Sequence, residues 1–143
     1  MSQVIKTVLV SYSAKAMFDL VDAVETYPVF LPWCGATTVH SRDDAHTKAT
    51  IDIRYFGVAQ SFTTFNTKVY PHEMCLTLVD GPFKSLDGRW QFVALSETAC
   101  KVIFELNYTF ASAPIEKIVG PVMSMIAETF VDRFVARADA LSS

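Results

Sequence analysis

The sequence predicts an α+β fold: a curved antiparallel sheet of about seven strands wrapped around one long C-terminal helix, with a short helical segment after the first strand. Short runs of alternating apolar and polar residues fill the middle of the chain, each closed by turn residues. From Pro114 onward the apolar residues switch to a spacing of three and four. A sheet with one greasy face and a helix with one greasy stripe can bury both only against each other.

In chain order, residues 4–12 alternate as a strand, with Val4, Lys6, Val8 and Val10 on one face and Ile5, Thr7 and Leu9 on the other. Ser13 offers an N-cap, and a helix over 14–25 sets Met17, Leu20, Val21 and Val24 against Lys15, Asp19, Asp22 and Glu25. The next segment, Tyr27-Pro28-Val29-Phe30-Leu31-Pro32-Trp33-Cys34, is almost wholly apolar and carries two prolines. Proline fixes φ and lacks an amide donor, so this reads as a rigid bent connection, neither regular helix nor ladder strand. Its aromatics either cap a core or line a mouth. Strands follow over 36–41, 48–56, 59–70, 74–79, 85–95 and 101–110. The breaks at Asp43-Asp44, Gly57, Pro71-His72-Glu73, Asp80-Gly81-Pro82 and Ser96-Glu97-Thr98 are of hairpin length. Alternation is clearest in Cys100, Val102, Phe104, Leu106, Tyr108 and Phe110, with Lys101, Glu105, Asn107 and Thr109 opposed. The last helix spans 114–140 with a stripe of Ile115, Ile118, Val119, Val122, Ile126, Phe130, Phe134 and Ala138. Gly120-Pro121 is expected to kink it or delay its start.

The 143 residues fit one domain, 1–143, that needs no staple. Hydrophobic residues make up 51% and aromatics 13%, more apolar material than closure of a small domain needs. A net charge of −3 supplies no broad positive field, which argues against DNA as a partner. Cys34, Cys75 and Cys100 have neither disulfide-framework nor zinc spacing, which fits a reducing compartment. No run reaches the length of a membrane span, so a soluble, cytoplasmic protein is expected.

The apolar surplus and the wedge between sheet and helix predict a lipophilic ligand site. Its expected lining is Phe30, Leu31 and Trp33 at the rim, Trp90, Phe92, Phe104, Leu106 and Tyr108 from the sheet, and Val122, Ile126 and Phe130 from the helix. Phe83 reads either as an inward-turned residue of a turn or as the cavity end. An apolar cavity costs about 24 cal/mol per Å³, so a sizeable one should not persist without use. Each buried ligand methylene returns about 0.8 kcal/mol, so a partly enclosed tail binds without specific hydrogen bonds. Cys34 reads as packing, as do Met123 and Met125 beside the stripe. His40, His46 and His72 sit at a strand end and in turns without triad or metal spacing. No catalytic residue, metal or cofactor is expected.

Three ordered motifs carry a resemblance: Asp22-Ala-Val-Glu-Thr-Tyr27-Pro-Val-Phe-Leu-Pro-Trp-Cys34, then Ser61-Phe62-Thr63-Thr64, then Asp80-Gly81-Pro82-Phe83 leading to Leu86-x-Gly88-x-Trp90-x-Phe92. Over nearly the whole chain the sequence resembles the coenzyme Q-binding/RatA branch of the START-like (polyketide cyclase/dehydrase, helix-grip) superfamily. That resemblance implies a helix-grip fold with an elongated hydrophobic cavity. It implies, first, non-catalytic binding of ubiquinone or another polyprenyl lipid in support of respiration, with the Tyr108 hydroxyl toward a quinone carbonyl. The alternative it implies is a toxin that binds the large ribosomal subunit and blocks subunit association. A cyclase or aromatase role would need pocket carboxylates, histidines or tyrosines, and the sequence offers little of that. Transient membrane contact through the Phe30/Trp33 rim would place the protein peripheral to the inner membrane. One departure stands out: the family continues the strand after Thr63-Thr64 with arginine, and this chain has Phe65. A polar headgroup held by that arginine would need another supplier, such as Arg54 or Arg89.

Overall fold

The computed structural model describes residues 2–142. Strand β1 (Ser2–Val10) leads into α1 (Ala14–Asp22), a 3-10 turn (Val24–Thr26) and a single-turn helix α2 (Tyr27–Phe30). A meander of β2 (Cys34–Arg42), β3 (His46–Tyr55), β4 (Val58–Val69), β5 (Glu73–Asp80), β6 (Phe83–Ser96) and β7 (Ala99–Phe110) follows, and α3 (Ala113–Ser142) ends the chain. All seven strands form one antiparallel sheet in the order β1-β7-β6-β5-β4-β3-β2, so β1 returns beside the last strand.

Period-2 alternation decides which side of each strand is dry. Along β7 every second residue from Cys100 to Phe110 is buried, and β6 buries Leu86, Trp90 and Phe92 in register with it. These rows face α3, which buries Val119, Met123, Ile126, Ala127, Val131, Phe134 and Ala138. Ile118, assigned to the stripe from spacing, is exposed instead, and Val122 sits at its half-buried flank. Helix α3 starts on Ser112, whose hydroxyl accepts from the Ile115 amide, and runs on through Pro121, so the proline does not delay the start.

Ser13 caps α1 as the sequence indicates, accepting from the Ala16 amide at 3.0 Å. Two departures lie just beyond. Helix α1 stops at Asp22 rather than 25 because Ala23 leaves helical geometry at φ −79°, ψ 63°. The proline segment then makes a real helical turn, in which the Leu31 amide donates to the Tyr27 carbonyl at 2.9 Å. Pro28 falls in the first turn of α2, where its missing amide would have had no partner anyway. The expectation of neither helix nor ladder strand therefore fails for these four residues and for Cys34, which opens β2 opposite Ile53, and holds for Leu31-Pro32-Trp33.

The β3–β4 hairpin closes on Phe56 and Gly57 at φ 46° and 83°, the signs of a type I′ turn. Asparagine or glycine suits the first of these positions, whereas phenylalanine is strained there and 89% exposed. Phe56→Asn is therefore expected to raise stability by about 1 kcal/mol, read as a higher urea midpoint at unchanged slope.

Candidate functional site

A partly open hollow of about 60 Å³ lies between the concave face of the sheet and α3. Its floor is the middle of the sheet: Ala49 and Ile51 from β3, Phe62, Thr64 and Asn66 from β4, and Met74 and Leu76 from β5. Leu86 and Trp90 of β6 and Phe104 and Leu106 of β7 continue it, while Met123, Ile126, Ala127 and Phe130 of α3 form the roof. Val21, Val24, Tyr27 and Trp33 close one end. Space is left because Ala49 and Ala127 are small, and because Gly88 presents no side chain between Leu76 and Leu106. A Cβ at Gly88 would lie 3.1 Å from Leu76 Cδ1 and 3.3 Å from Leu106 Cδ1.

Of the residues expected to line a ligand site, Trp33, Trp90, Phe104, Leu106, Ile126 and Phe130 reach this wall. The others pack elsewhere. Phe30 lies against Tyr27 and Phe134 at ring distances of 6.1 and 5.2 Å, with the Arg137 guanidinium over its ring. Leu31 is core beneath α2. Phe92 packs on Phe18 and Trp90, at 5.7 and 5.8 Å. Phe83 stacks on Phe110 at 5.3 Å and meets Tyr108 at 6.0 Å, so this pair fills the sheet end beyond the hollow and the Tyr108 hydroxyl is no part of its wall. Val122 stands one helix position off the wall that Met123 occupies. Spacing did not single out Thr64 and Asn66, because polar residues on a strand read as outward. Their alternation with Phe62 was the available signal.

The rim behaves differently from the expectation as well. Trp33 is 1% exposed, so it offers no surface to a membrane, while Val29 on α2 is 70% exposed. Phe65 points to the convex side and stacks on His46 at 5.0 Å. Arg54 is exposed on that same side, and Arg89 Nε donates there to Glu73 Oε1 at 3.0 Å. A group at position 65 would face away from the hollow, so no headgroup contact inside it is lost by the change.

The chemistry of the wall is sparse. It holds no histidine, carboxylate or lysine. Its one phenol, Tyr27, donates to the Val21 carbonyl, and burial drives its pKa far up. The three histidines lie apart from it: His40 shares a hydrogen bond with the Thr50 hydroxyl, His46 stacks on Phe65, and His72 is exposed. Among the described residues no group of His, Cys, Asp and Glu could hold a metal ion. Cys34 is buried at the start of β2, its thiol directed to the Ala36 carbonyl. Desolvation first, and the Asp52 charge second, push that thiol up to about 11. Its native thiolate is scarce near neutral pH, so alkylation of Cys34 in the folded protein should rise only as pH approaches 11. The proton is held more tightly in the folded state. The associated stability is complete below the unfolded thiol pKa and lost as pH climbs toward 11; iodoacetamide labelling against pH, with and without urea, reads both.

A sheet gripping a long helix around an apolar hollow is the geometry in which known relatives become informative. Residues 10–135 match the family described as polyketide cyclase/dehydrase and lipid transport. The chain belongs to that family. Within it, the chain is 41% identical over 138 residues to the ribosome association toxin RatA of Vibrio cholerae, covering 96% of each chain. It is 38% identical over 136 residues to RatA of Pseudomonas aeruginosa, covering 95% of this chain and 94% of that one. Similarity to the mitochondrial coenzyme Q-binding protein COQ10 homolog B of Xenopus laevis is lower, 24% over 108 residues, covering 73% of this chain and 44% of that one. Among solved structures, the Zhui aromatase/cyclase from a Streptomyces species superposes with a TM-score of 0.85 at 11% identity, covering 99% and 96% of the two chains. At that identity the likeness speaks for the START-like fold alone.

Proposed function

We propose that this polyketide cyclase/dehydrase family member associates with the ribosome, binding the large subunit and lowering the pool of intact particles. The observation that carries this reading is the 41% identity, over 96% of both chains, to a protein named ribosome association toxin. A cytoplasmic location goes with it; among the described residues, no helix is long and apolar enough to cross a membrane. The charge distribution bears on how such binding would work. Net charge is −3, and Arg137, which with Arg133 is a candidate basic patch, has its guanidinium laid over Phe30. Association by shape and local contacts fits this surface better than neutralisation of many phosphates, so affinity should fall only shallowly with salt. Expression in a bacterial host followed by sucrose-gradient sedimentation is the test. Depleted intact ribosomes, with the protein travelling beside the large subunit, are expected; an unchanged profile with protein only at the top overturns the reading.

The apolar wall favours a second activity, retention of a lipophilic molecule. The size of the hollow limits it. At about 60 Å³ it falls far short of the ~300 Å³ at which drug-sized pockets begin, so a long polyprenyl tail would require sheet and helix to part. An empty hollow of that size costs about 1.5 kcal/mol, which a stable domain tolerates. Its persistence therefore does not by itself demand a guest. Mass spectrometry of an organic extract of gently purified protein distinguishes the cases: a stoichiometric neutral lipid or small apolar molecule is expected, and repeated absence counts against this activity.

A further inference from the structure

We propose that β1 is a self-association edge: two copies of the chain pair their β1 strands antiparallel about a twofold axis at Thr7, joining two sheets into one. This surface lies apart from the hollow, and the inference does not depend on ribosome association.

Both outer strands of the sheet are open on one side, because among the described residues β1 pairs with β7 alone and β2 with β3 alone. Only one of the two edges is blunted. Along β2 the ladder slips between Cys34 and Ala36 and again between Val39 and Ser41, and such irregularities keep an edge from accepting another strand. Strand β1 has no such break. It runs in continuous register with β7 from Ser2 to Val10, contains no proline, and holds two large apolar side chains in water on its convex side, Ile5 at 58% and Leu9 at 69% exposure. Leu9 stands opposite Lys101, and Lys101 opposite the exposed Val93, so the apolar surface continues inward across β7. A long regular edge of this kind is a template for another strand.

The occupant that fits is a second β1. A twofold axis normal to the sheet sets convex side against convex side, so odd-numbered residues face odd and even face even. Centred on Lys6, the pairing sets each ammonium against its own copy, which like charges disfavour. Centred on Ile5, it carries Leu9 past Ser2 of the second copy and leaves it uncovered. Centred on Thr7, it sets Ile5 opposite Leu9, Leu9 opposite Ile5 and Thr7 opposite Thr7, while on the concave side Lys6 meets Val8 and Val4 meets Val10. Both exposed apolar residues are then covered, and no like charges face each other. Glu105 flanks Ile5 on β7 and Lys101 flanks Leu9, so each joined row runs from an acidic to a basic side chain. Lys6, half-buried on the concave side, bars the competing register. One short ladder makes a small interface, which implies a weak dimer that forms with rising concentration.

Sedimentation velocity of the full chain from micromolar to near-millimolar concentration tests this, and a shift from the 15.9 kDa of one chain toward twice that mass is expected. Thr7→Lys and Thr7→Glu, at an exposed edge position, each put like charges face to face and should weaken association by about fivefold or more. Urea midpoints close to the parent's establish that both variants fold. An equimolar mixture of the two should regain at least the parent's association, since pairing at Thr7 brings the lysine of one copy onto the glutamate of the other. A parent that stays monomeric throughout overturns the proposal. Single variants that associate as well as the parent overturn it too, and so does a mixture that stays as weak as its components.

Discussion

Phe134→Ala is expected to destabilise the protein by about 3–5 kcal/mol, the range for removing a fully buried aromatic ring. Phe134 is wholly buried on α3 and touches four other rings: Phe130 at 5.0 Å, Phe30 at 5.2 Å, Tyr27 at 5.3 Å and Trp90 at 5.4 Å. Those partners come from α3, α2 and β6, so the ring is the joint at which the last helix, the rim and the sheet meet. Three of the contacts with other elements are edge-to-face within about ten or fifteen degrees of perpendicular, the arrangement aromatic quadrupoles favour beyond simple area burial. Truncation leaves a void flanked by rigid rings that cannot collapse into it, which places the cost toward the upper end. Urea denaturation at constant slope measures it; a loss below about 1 kcal/mol would show that the joint lies elsewhere. Phe130→Ala, at a half-buried position, should cost less.

The unequal legibility of the chain has a physical basis. Strands β3 to β7 declared themselves because a half-buried antiparallel strand must alternate, and Cys100 to Phe110 does so without a break. The turn of α2 was hidden because Pro28 normally argues against helix and only its place in the first turn reverses that. Hollow position was harder still. Phe92 obeys the same alternation as Trp90 and Leu86, and a break in register between Phe83 and Ser85 brings Phe83 onto that face too, yet of these only Trp90 and Leu86 face open space. What separates them is their neighbours: Ala49 and Ala127 leave space in the middle rows, whereas Phe18 of α1 fills in against Phe92, and Phe110, the partner of Phe83 on β7, stacks on it. Such facing sizes depend on contacts between residues far apart in the chain, which no local pattern carries. The exchange of Val122 for Met123 has another origin. One residue on a helix turns about 100°, so a stripe drawn one position off still looks amphipathic.

Lys68→Met should cost about 2–3 kcal/mol, whereas Lys68→Met combined with Asp22→Leu should return to within about 1 kcal/mol of the parent. Lys68 Nζ lies 3.2 Å from Asp22 Oδ2, with the lysine side chain 4% exposed and the aspartate 22%. The Thr47 hydroxyl donates to Asp22 Oδ1 at 3.3 Å, and Arg42 donates to the Asp22 backbone carbonyl at 2.8 Å. Removing the lysine alone strands a carboxylate whose remaining side-chain donor is one hydroxyl. Partial access to water keeps the penalty below that of a fully enclosed charge. Removing both charges removes the desolvation cost together with the attraction, and two apolar side chains of similar size can pack in their place. The double variant then exposes what the pair does besides stabilise. Asp22 ends α1 immediately after Val21 and just before Val24, both of which wall the hollow, so the ion pair ties that wall to β4. Urea midpoints of the two single variants and the double variant give the coupling directly. A double variant as unstable as Lys68→Met alone would mean that the lysine stem, and not its charge, holds α1 in place.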